Sequence, residues 1–250
     1  MADAGDTGST GRNARMRPRT ALTWCGRIHG GGRHFDPQGE HTMATTSPWP
    51  LIHAERETLA ADLGTLTGDQ WATPSLCGDW TVRDVLGHMI ATARMTPPRF
   101  LGSMAAAGFR FNNMTAKGVA AEATANPADG LANFRSHLKD TTHPPGPVEA
   151  MLGEAVIHSA DIRKPLGIAH EYPEEALNRV ADFYKGSNLI VGAKQRIDGL
   201  TLRATDTDWS TGSGPEVTGP HLSLILAMTG RSAALADLSG AGLGTLKSRS

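Results

Sequence analysis

A glutamate and a histidine lie one helical turn apart near the middle of the chain, at Glu154 and His158. Apolar residues recur with helical spacing from residue 148 to residue 166, and this pattern places both side chains on the inward face of a predicted helix. Burying a carboxylate without a partner costs several kcal/mol. A divalent metal ion that is held by both side chains would offset this cost.

A third ligand must come from another helix, and His88 is the best candidate. Thr81 can cap the predicted helix that contains His88, and Gly87 lets a neighbouring helix come close. On an ideal helix His88 lies about 120° from the centre of the apolar stripe. It therefore reaches the ion only if the helix at 148 to 166 packs against that flank.

Structural alternatives exist for each of these residues. A glutamate and a histidine at this spacing are also common as a surface pair or a buried hydrogen bond. Asp161 could accept the second N–H of His158, or it could pair with Arg163 or Lys164 at the surface. Cys77 could be a reactive thiol, but its loop beside a tryptophan favours a small buried hydrophobic residue. No role is predicted for the remaining histidines considered, which are interpreted as surface or capping residues: His53, His137, His143, His170 and His221.

The ligand types predict a mononuclear site with an open position. The sequence contains neither the H-E-x-x-H motif of metalloproteases nor the duplicated E-x-x-H motif of di-iron bundles. Three protein ligands leave one tetrahedral position for water or a thiol, as in catalytic zinc sites. Two histidines and one carboxylate also suit iron. The expected ion is Zn2+, with Fe2+ or Ni2+ as alternatives.

Amphipathic helices with short connections must position these residues, which favours a mainly α fold with an antiparallel four-helix bundle. Helices are predicted at residues 48 to 68, 81 to 97, 126 to 140, 148 to 166 and 173 to 192. Residues 99 to 125 give only a weak pattern. Beyond residue 196 a strand (199 to 204), a turn (210 to 214), a second strand (216 to 218) and a helix (220 to 228) predict a small α/β C-terminal domain.

The chain is therefore expected to have three parts. Residues 1 to 42, with eight of the 29 glycines, are either a disordered tail or an upstream addition to a natural start at Met43. Residues 43 to 195 form the metal-binding bundle, and residues 196 to 250 form the α/β domain.

The composition limits the classes of partner that the protein is expected to bind. The formal net charge of −1 does not favour nucleic acid, and no apolar run approaches the roughly 20 residues that span a bilayer. Two isolated cysteines form no disulfide framework, which indicates a reducing, cytoplasmic location. A small molecule is the expected partner, and the chain is expected to be a monomer or a homodimer.

Two sequence blocks resemble the signatures of the mycothiol-dependent maleylpyruvate isomerase family. They are residues 74 to 88 (PSLCGDWTVRDVLGH) and 153 to 167 (GEAVIHSADIRKPLG), and residues 204 to 240 are similar to the C-terminal region of its actinobacterial members. The resemblance covers roughly residues 48 to 246. It implies a DinB-like bundle and zinc ligation by His88, Glu154 and His158. It also implies cis–trans isomerisation with mycothiol as the thiol cosubstrate.

The leading hypothesis is a zinc-dependent, mycothiol-using isomerase or transferase that acts on a small organic acid or electrophile. A metal-bound thiol is deprotonated near neutral pH and becomes a nucleophile. Arg83, Arg163 or Arg231 could hold substrate carboxylates, with surface salt bridges as the alternative for each. A metal-dependent hydrolase and a non-catalytic metal- or ligand-binding module are the other hypotheses.

Overall fold

Helices dominate the part of the chain that is described. The structure is a computed structural model that describes residues 47–124, 126–189 and 191–250. Within these ranges the α-helices are α1 (Trp49–Leu63), α2 (Val82–Ala93), α3 (Pro97–Ala106), α4 (Phe111–Glu122), α5 (Pro127–Ser136), α6 (Glu149–Leu166), α7 (Glu174–Lys185), α8 (Ala193–Arg196), α9 (His221–Met228) and α10 (Leu243–Lys247). The predicted tail, residues 1 to 42, and the alternative start at Met43 lie outside the described residues.

The helix signals in the sequence correspond to real helix ends. Thr81 accepts a hydrogen bond from the Asp84 amide and Asp84 bonds back to Thr81, which forms a capping box at the start of α2. Asn126 caps α5, and Gly167, with φ of 67°, ends α6 in the left-handed conformation that favours glycine. The mainly helical fold class is confirmed.

Several element predictions differ from the structure. The first helix ends at Leu63, several residues before Gly68, and the helix predicted up to residue 192 ends at Lys185. The weakly patterned segment at 99 to 125 contains two helices, α3 and α4. Thr96 caps α3 and Pro97 begins it, so residue 97, where the second predicted helix ends, instead starts the next helix.

A three-stranded sheet follows α8 in the C-terminal region. Its strands are β1 (Thr201–Ala204), β2 (Ser210–Gly212) and β3 (Glu216–Gly219), in the order β2-β1-β3. β1 pairs antiparallel with β2 and parallel with β3, where Leu202 lies opposite Val217. The turn predicted at 210 to 214 is wrong for its first three residues. β2 has no buried residue, so it lacks the alternating apolar pattern by which a strand is recognised.

The core consists of two hydrophobic clusters. One joins α1, α2 and α5 through residues such as Leu59, Leu86 and Phe134. The other joins α6 and α7 to the C-terminal sheet and α9, and it includes Val156, Val180 and residues beyond 196. The division at residue 195 into two domains stays a prediction. No described helix has both the length and the apolar character that crossing a membrane requires.

Two glycines determine how closely the neighbouring elements pack around α2 and α6. A Cβ at Gly87 would lie 2.9 Å from the Ala123 nitrogen, so the end of α4 packs directly on α2. A Cβ at Gly153 would lie 2.6 Å from Tyr184 Cε2, so the Tyr184 ring of α7 lies on the backbone of α6. The close neighbour that Gly87 was predicted to admit is therefore the end of α4.

Candidate metal centre

The three predicted ligands line one cavity. This cavity has a volume of about 410 Å³, and His88 from α2 and Glu154 and His158 from α6 contribute to its wall. The His88 and His158 rings meet edge to face, with ring centroids 4.8 Å apart. α6 therefore packs against the flank of α2 that carries His88, which is the arrangement that the helical geometry required.

Asp161 orients His158 from the side of the ring away from solvent. His158 Nδ1 lies 2.9 Å from Asp161 Oδ2, and Asp161 is fully buried. Arg231 donates two hydrogen bonds to the same carboxylate, from Nε to Oδ1 at 3.0 Å and from Nη2 to Oδ2 at 2.8 Å. Burial raises the pKa of Asp161, but the hydrogen bonds to His158 and Arg231 lower it more, so the group is a carboxylate. Nδ1 of His158 therefore donates to Asp161, and Nε2 is the ring nitrogen that would bind an ion after losing its proton.

Burial and hydrogen bonds shift the pKa values of the three predicted ligands in different directions. Burial, His158 and Arg231 together lower the pKa of His88 to about 3, so its ring is neutral and offers a lone pair. Burial raises the pKa of Glu154 to about 7, although His158, Arg56 and a hydrogen bond to Thr92 act in the opposite direction. Burial lowers the pKa of His158, but hydrogen bonds to Asp161 and Cys77 raise it to about 9. Two imidazoles and a carboxylate on one cavity wall are a donor set that fits zinc or iron.

Cys77 was missed as a residue of this cavity. Its interpretation as a small buried hydrophobic residue is confirmed in part, because Cys77 packs partly buried against the core, but it also lines the cavity. In the described chain, donor atoms of Cys77, His158 and Asp161 all lie within 4.8 Å of one another, and this group contains one of the three predicted ligands. The Leu76 amide donates to the Asp161 carbonyl at 3.1 Å, which holds the Cys77 loop against α6.

The three candidate arginines have different surroundings. Arg231 lines the cavity, whereas Arg83 lies beside a separate small pocket next to α4 and α5. Arg163 is buried away from the cavity, where it pairs with Glu55 and with Asp62. The alternative prediction, that these arginines form surface salt bridges, is wrong for Arg163 and Arg231, because both are buried in ion pairs. Asp161 is also buried, so the alternative prediction of a surface pair with Arg163 or Lys164 is wrong as well.

The five histidines without a predicted role do not line the cavity. Four of them are partly buried, and His137 pairs with Asp140 at 2.7 Å. The interpretation as a surface or capping residue is wrong for His221, which is fully buried and stacks on Trp209. The helical pattern of 220 to 228 is apolar nearly all round, so it gave no indication that His221 faces inward.

A known protein family matches the sequence of the N-terminal segment, and known structures match the fold. Residues 52–143 match the family described as mycothiol maleylpyruvate isomerase N-terminal domain. The predicted resemblance to this family is confirmed. Of the predicted ligands, His88 lies within the matched segment, and Glu154 and His158 follow it.

Two crystal structures support the fold assignment over most of the chain. They are a mycothiol-dependent maleylpyruvate isomerase and a histidine-to-alanine mutant of it, with TM-scores of 0.53 and 0.54. Each is 15% identical in sequence, and each match covers 77% of this chain and 91% of that chain. At this identity the likeness establishes the fold alone. The search of curated proteins gave no match.

Proposed function

We propose that the chain is a zinc-dependent enzyme of the maleylpyruvate isomerase type, which uses mycothiol to isomerise or modify a small electrophile. Zn2+ would be held by His88, Glu154 and His158, with Asp161 orienting His158. The observation that carries the proposal is that these three side chains, from two helices, line one cavity in which the His88 and His158 rings are in contact. Its volume of about 410 Å³ is within the usual range for small-molecule sites.

The thiol is proposed from the family resemblance and from the open position of the site. The matching family and the two similar crystal structures are both described as mycothiol-dependent or as mycothiol isomerases. An ion with three protein ligands keeps a position for a thiol and stabilises the thiolate form. The cytoplasmic location stays a prediction that this thiol chemistry favours.

The chain's own residues have distinct parts in the proposed reaction. His88 and His158 offer ring nitrogens, and Glu154 contributes the negative charge that holds a divalent ion. Asp161 keeps the His158 ring in one tautomer and one orientation. Apolar side chains such as Ile157 and Met114 line the cavity and would keep water away from a bound thiolate.

Metal analysis of matched variants tests the proposal. We expect about one zinc per chain in the purified protein and a large loss in Glu154→Ala and in His158→Ala. His137→Ala is the matched control, because His137 also pairs through Nδ1 with an aspartate three residues later but lies outside the cavity. It should keep the metal.

Two results would contradict the proposal. One is a folded protein that takes up no zinc, iron or nickel when the ion is added. The other is a metal content that His137→Ala and His158→Ala reduce equally. If metal is bound as expected but mycothiol does not alter turnover of any electrophile, the thiol part of the proposal fails and a hydrolase or a binding module becomes the better account.

A further inference from the structure

We propose that the electrophile accepted by this cavity has an apolar body and carries no more than one carboxylate. This inference rests on the proposed function and specifies its substrate class. It is drawn from the composition of the cavity wall and from the hydrogen bonds of the nearest cation.

Apolar side chains from several elements form most of the wall. α2 contributes Met95 from just beyond its end, α3 contributes Phe100, and α4 contributes Phe111 and Met114. Ile157 of α6, together with Leu189 and Val191, completes this apolar surface. Such a wall stabilises an apolar group by removing it from water, but it offers few hydrogen-bond donors to a carboxylate.

The described cavity wall contains one arginine and no lysine. Arg231 is that arginine, and each of its guanidinium nitrogens already donates one hydrogen bond: Nε and Nη2 donate to Asp161, and Nη1 donates to the Thr229 carbonyl at 3.0 Å. Three cationic residues near the cavity have partners elsewhere. Arg56 Nη1 donates to the Asp140 carbonyl at 3.1 Å. Arg94 pairs with Glu122 at 2.8 Å, and Lys117 donates to the Ala106 carbonyl at 2.8 Å.

Charge balance limits the number of carboxylates that the site can hold. Glu154 and a bound thiolate together offset the charge of a divalent ion, and Asp161 offsets the charge of Arg231. One substrate carboxylate can still use the remaining N–H groups of Arg231. A second would be buried against apolar side chains without a cation, which is strongly unfavourable.

Binding of two matched ligands tests this inference. Phenylpropionate and phenylsuccinate share a phenyl group and one carboxylate, and phenylsuccinate adds a second carboxylate. Calorimetric titrations would use the full chain, both metal-free and loaded with zinc and saturating mycothiol. We expect phenylpropionate to bind at least about tenfold more tightly in both forms, a ratio typical of discrimination by a binding pocket.

A cation placed on the wall should reverse this preference. Thr115 of α4 lines the cavity and is only partly buried, so Thr115→Arg can add a guanidinium at the wall. We expect it to raise the affinity for phenylsuccinate about tenfold relative to phenylpropionate. Asn113→Arg, at an exposed position of the same helix outside the cavity wall, is the control and should leave the ratio unchanged.

The outcomes separate this inference from the proposed function. Equal or tighter binding of phenylsuccinate to the parent protein would overturn the inference, as would equal effects of the two arginine variants. Failure of zinc or mycothiol to bind would overturn the proposed function, while the metal-free titrations would still decide the carboxylate preference. If Thr115→Arg does not fold, the comparison in the parent protein decides alone.

Discussion

Asp161 connects two distant segments of the chain through its carboxylate. It lies between His158 of the same helix and Arg231, which is 70 residues away in sequence, and it is fully buried. Its lowered pKa means that it keeps its charge, so both hydrogen bonds are charge-assisted. The orientation of the His158 ring therefore depends on a residue that follows α9.

Replacing Asp161 should weaken metal binding without removing a proposed ligand. In Asp161→Asn the charge that fixes the His158 tautomer is lost, and loss of such a partner typically lowers metal affinity about 10- to 100-fold. The measurement is the zinc dissociation constant by competition with a chelator, with circular dichroism to verify folding.

Asp140→Asn is the matched control for this change. Asp140 pairs with His137 in the same way, three residues apart, but outside the cavity. It should leave zinc affinity unchanged. A folded Asp161→Asn protein with parental zinc affinity would show that Asp161 does not position His158.

The predictability of the site differs from residue to residue. Glu154 and His158 share a helix face that spacing alone reveals, and His88 is found from its capped helix and Gly87. Cys77 and Arg231 approach each other, with Sγ and Nη2 3.7 Å apart, across 154 residues of sequence. Tertiary packing creates that contact, so no local pattern predicts it.

At the scale of elements, the contact of α6 with α7 depends on the lack of a side chain at Gly153. Tyr184 lies on the backbone of α6 at Gly153, and the Tyr184 ring also lines the cavity. Glycine in a helix interior costs stability in isolation. Here it allows a close approach that a larger residue would prevent.

Gly153→Ala should destabilise the protein by about 1 to 3 kcal/mol, because the new methyl group overlaps the Tyr184 ring and the core must shift. Gly102→Ala is the control. Gly102 is exposed within α3 and its Cβ would meet no atom within 4 Å, so this change should be stabilising by up to about 1 kcal/mol. Urea unfolding of both variants gives the comparison, and a Gly153→Ala protein as stable as the parent would show that α7 adjusts without cost.

Elements with strong local signals were predictable, whereas those that depend on neighbours were not. The capping box of α2 and the glycine after α6 appear directly in the sequence. α4 has few buried residues and no capping side chain, so its sequence carries little helical pattern. β2 is three residues long and is defined by its pairing with β1.

At the scale of the whole molecule, one hydrophobic cluster spans the predicted boundary at residue 195. Val156 of α6 and Val180 of α7 belong to the same cluster as Leu202 and Leu226 of the C-terminal region. The Asp161–Arg231 ion pair crosses the boundary as well. Neither side can lose its structure without exposing apolar surface of the other.

We therefore expect residues on the two sides of the boundary to unfold together. Native-state hydrogen exchange should give the backbone amides of β1 and of α6 the same free energy of opening at low denaturant. Amides of the exposed helix α3, which has no buried residue, should open at a lower free energy and provide the internal contrast. Earlier opening of β1 than of α6 would show two independent domains.

Trp80 contacts His88, so the fluorescence of this tryptophan is expected to respond when the cavity is occupied. Their ring centroids are 5.1 Å apart, and of the tryptophans that the structure describes, Trp80 is the one that lines the cavity. Trp49 lies against His53 and Trp209 against His221, away from it. Occupation of the cavity changes the polarity around one indole and leaves the others as a constant background. The filling of the site can therefore be followed in real time by fluorescence emission, without a label.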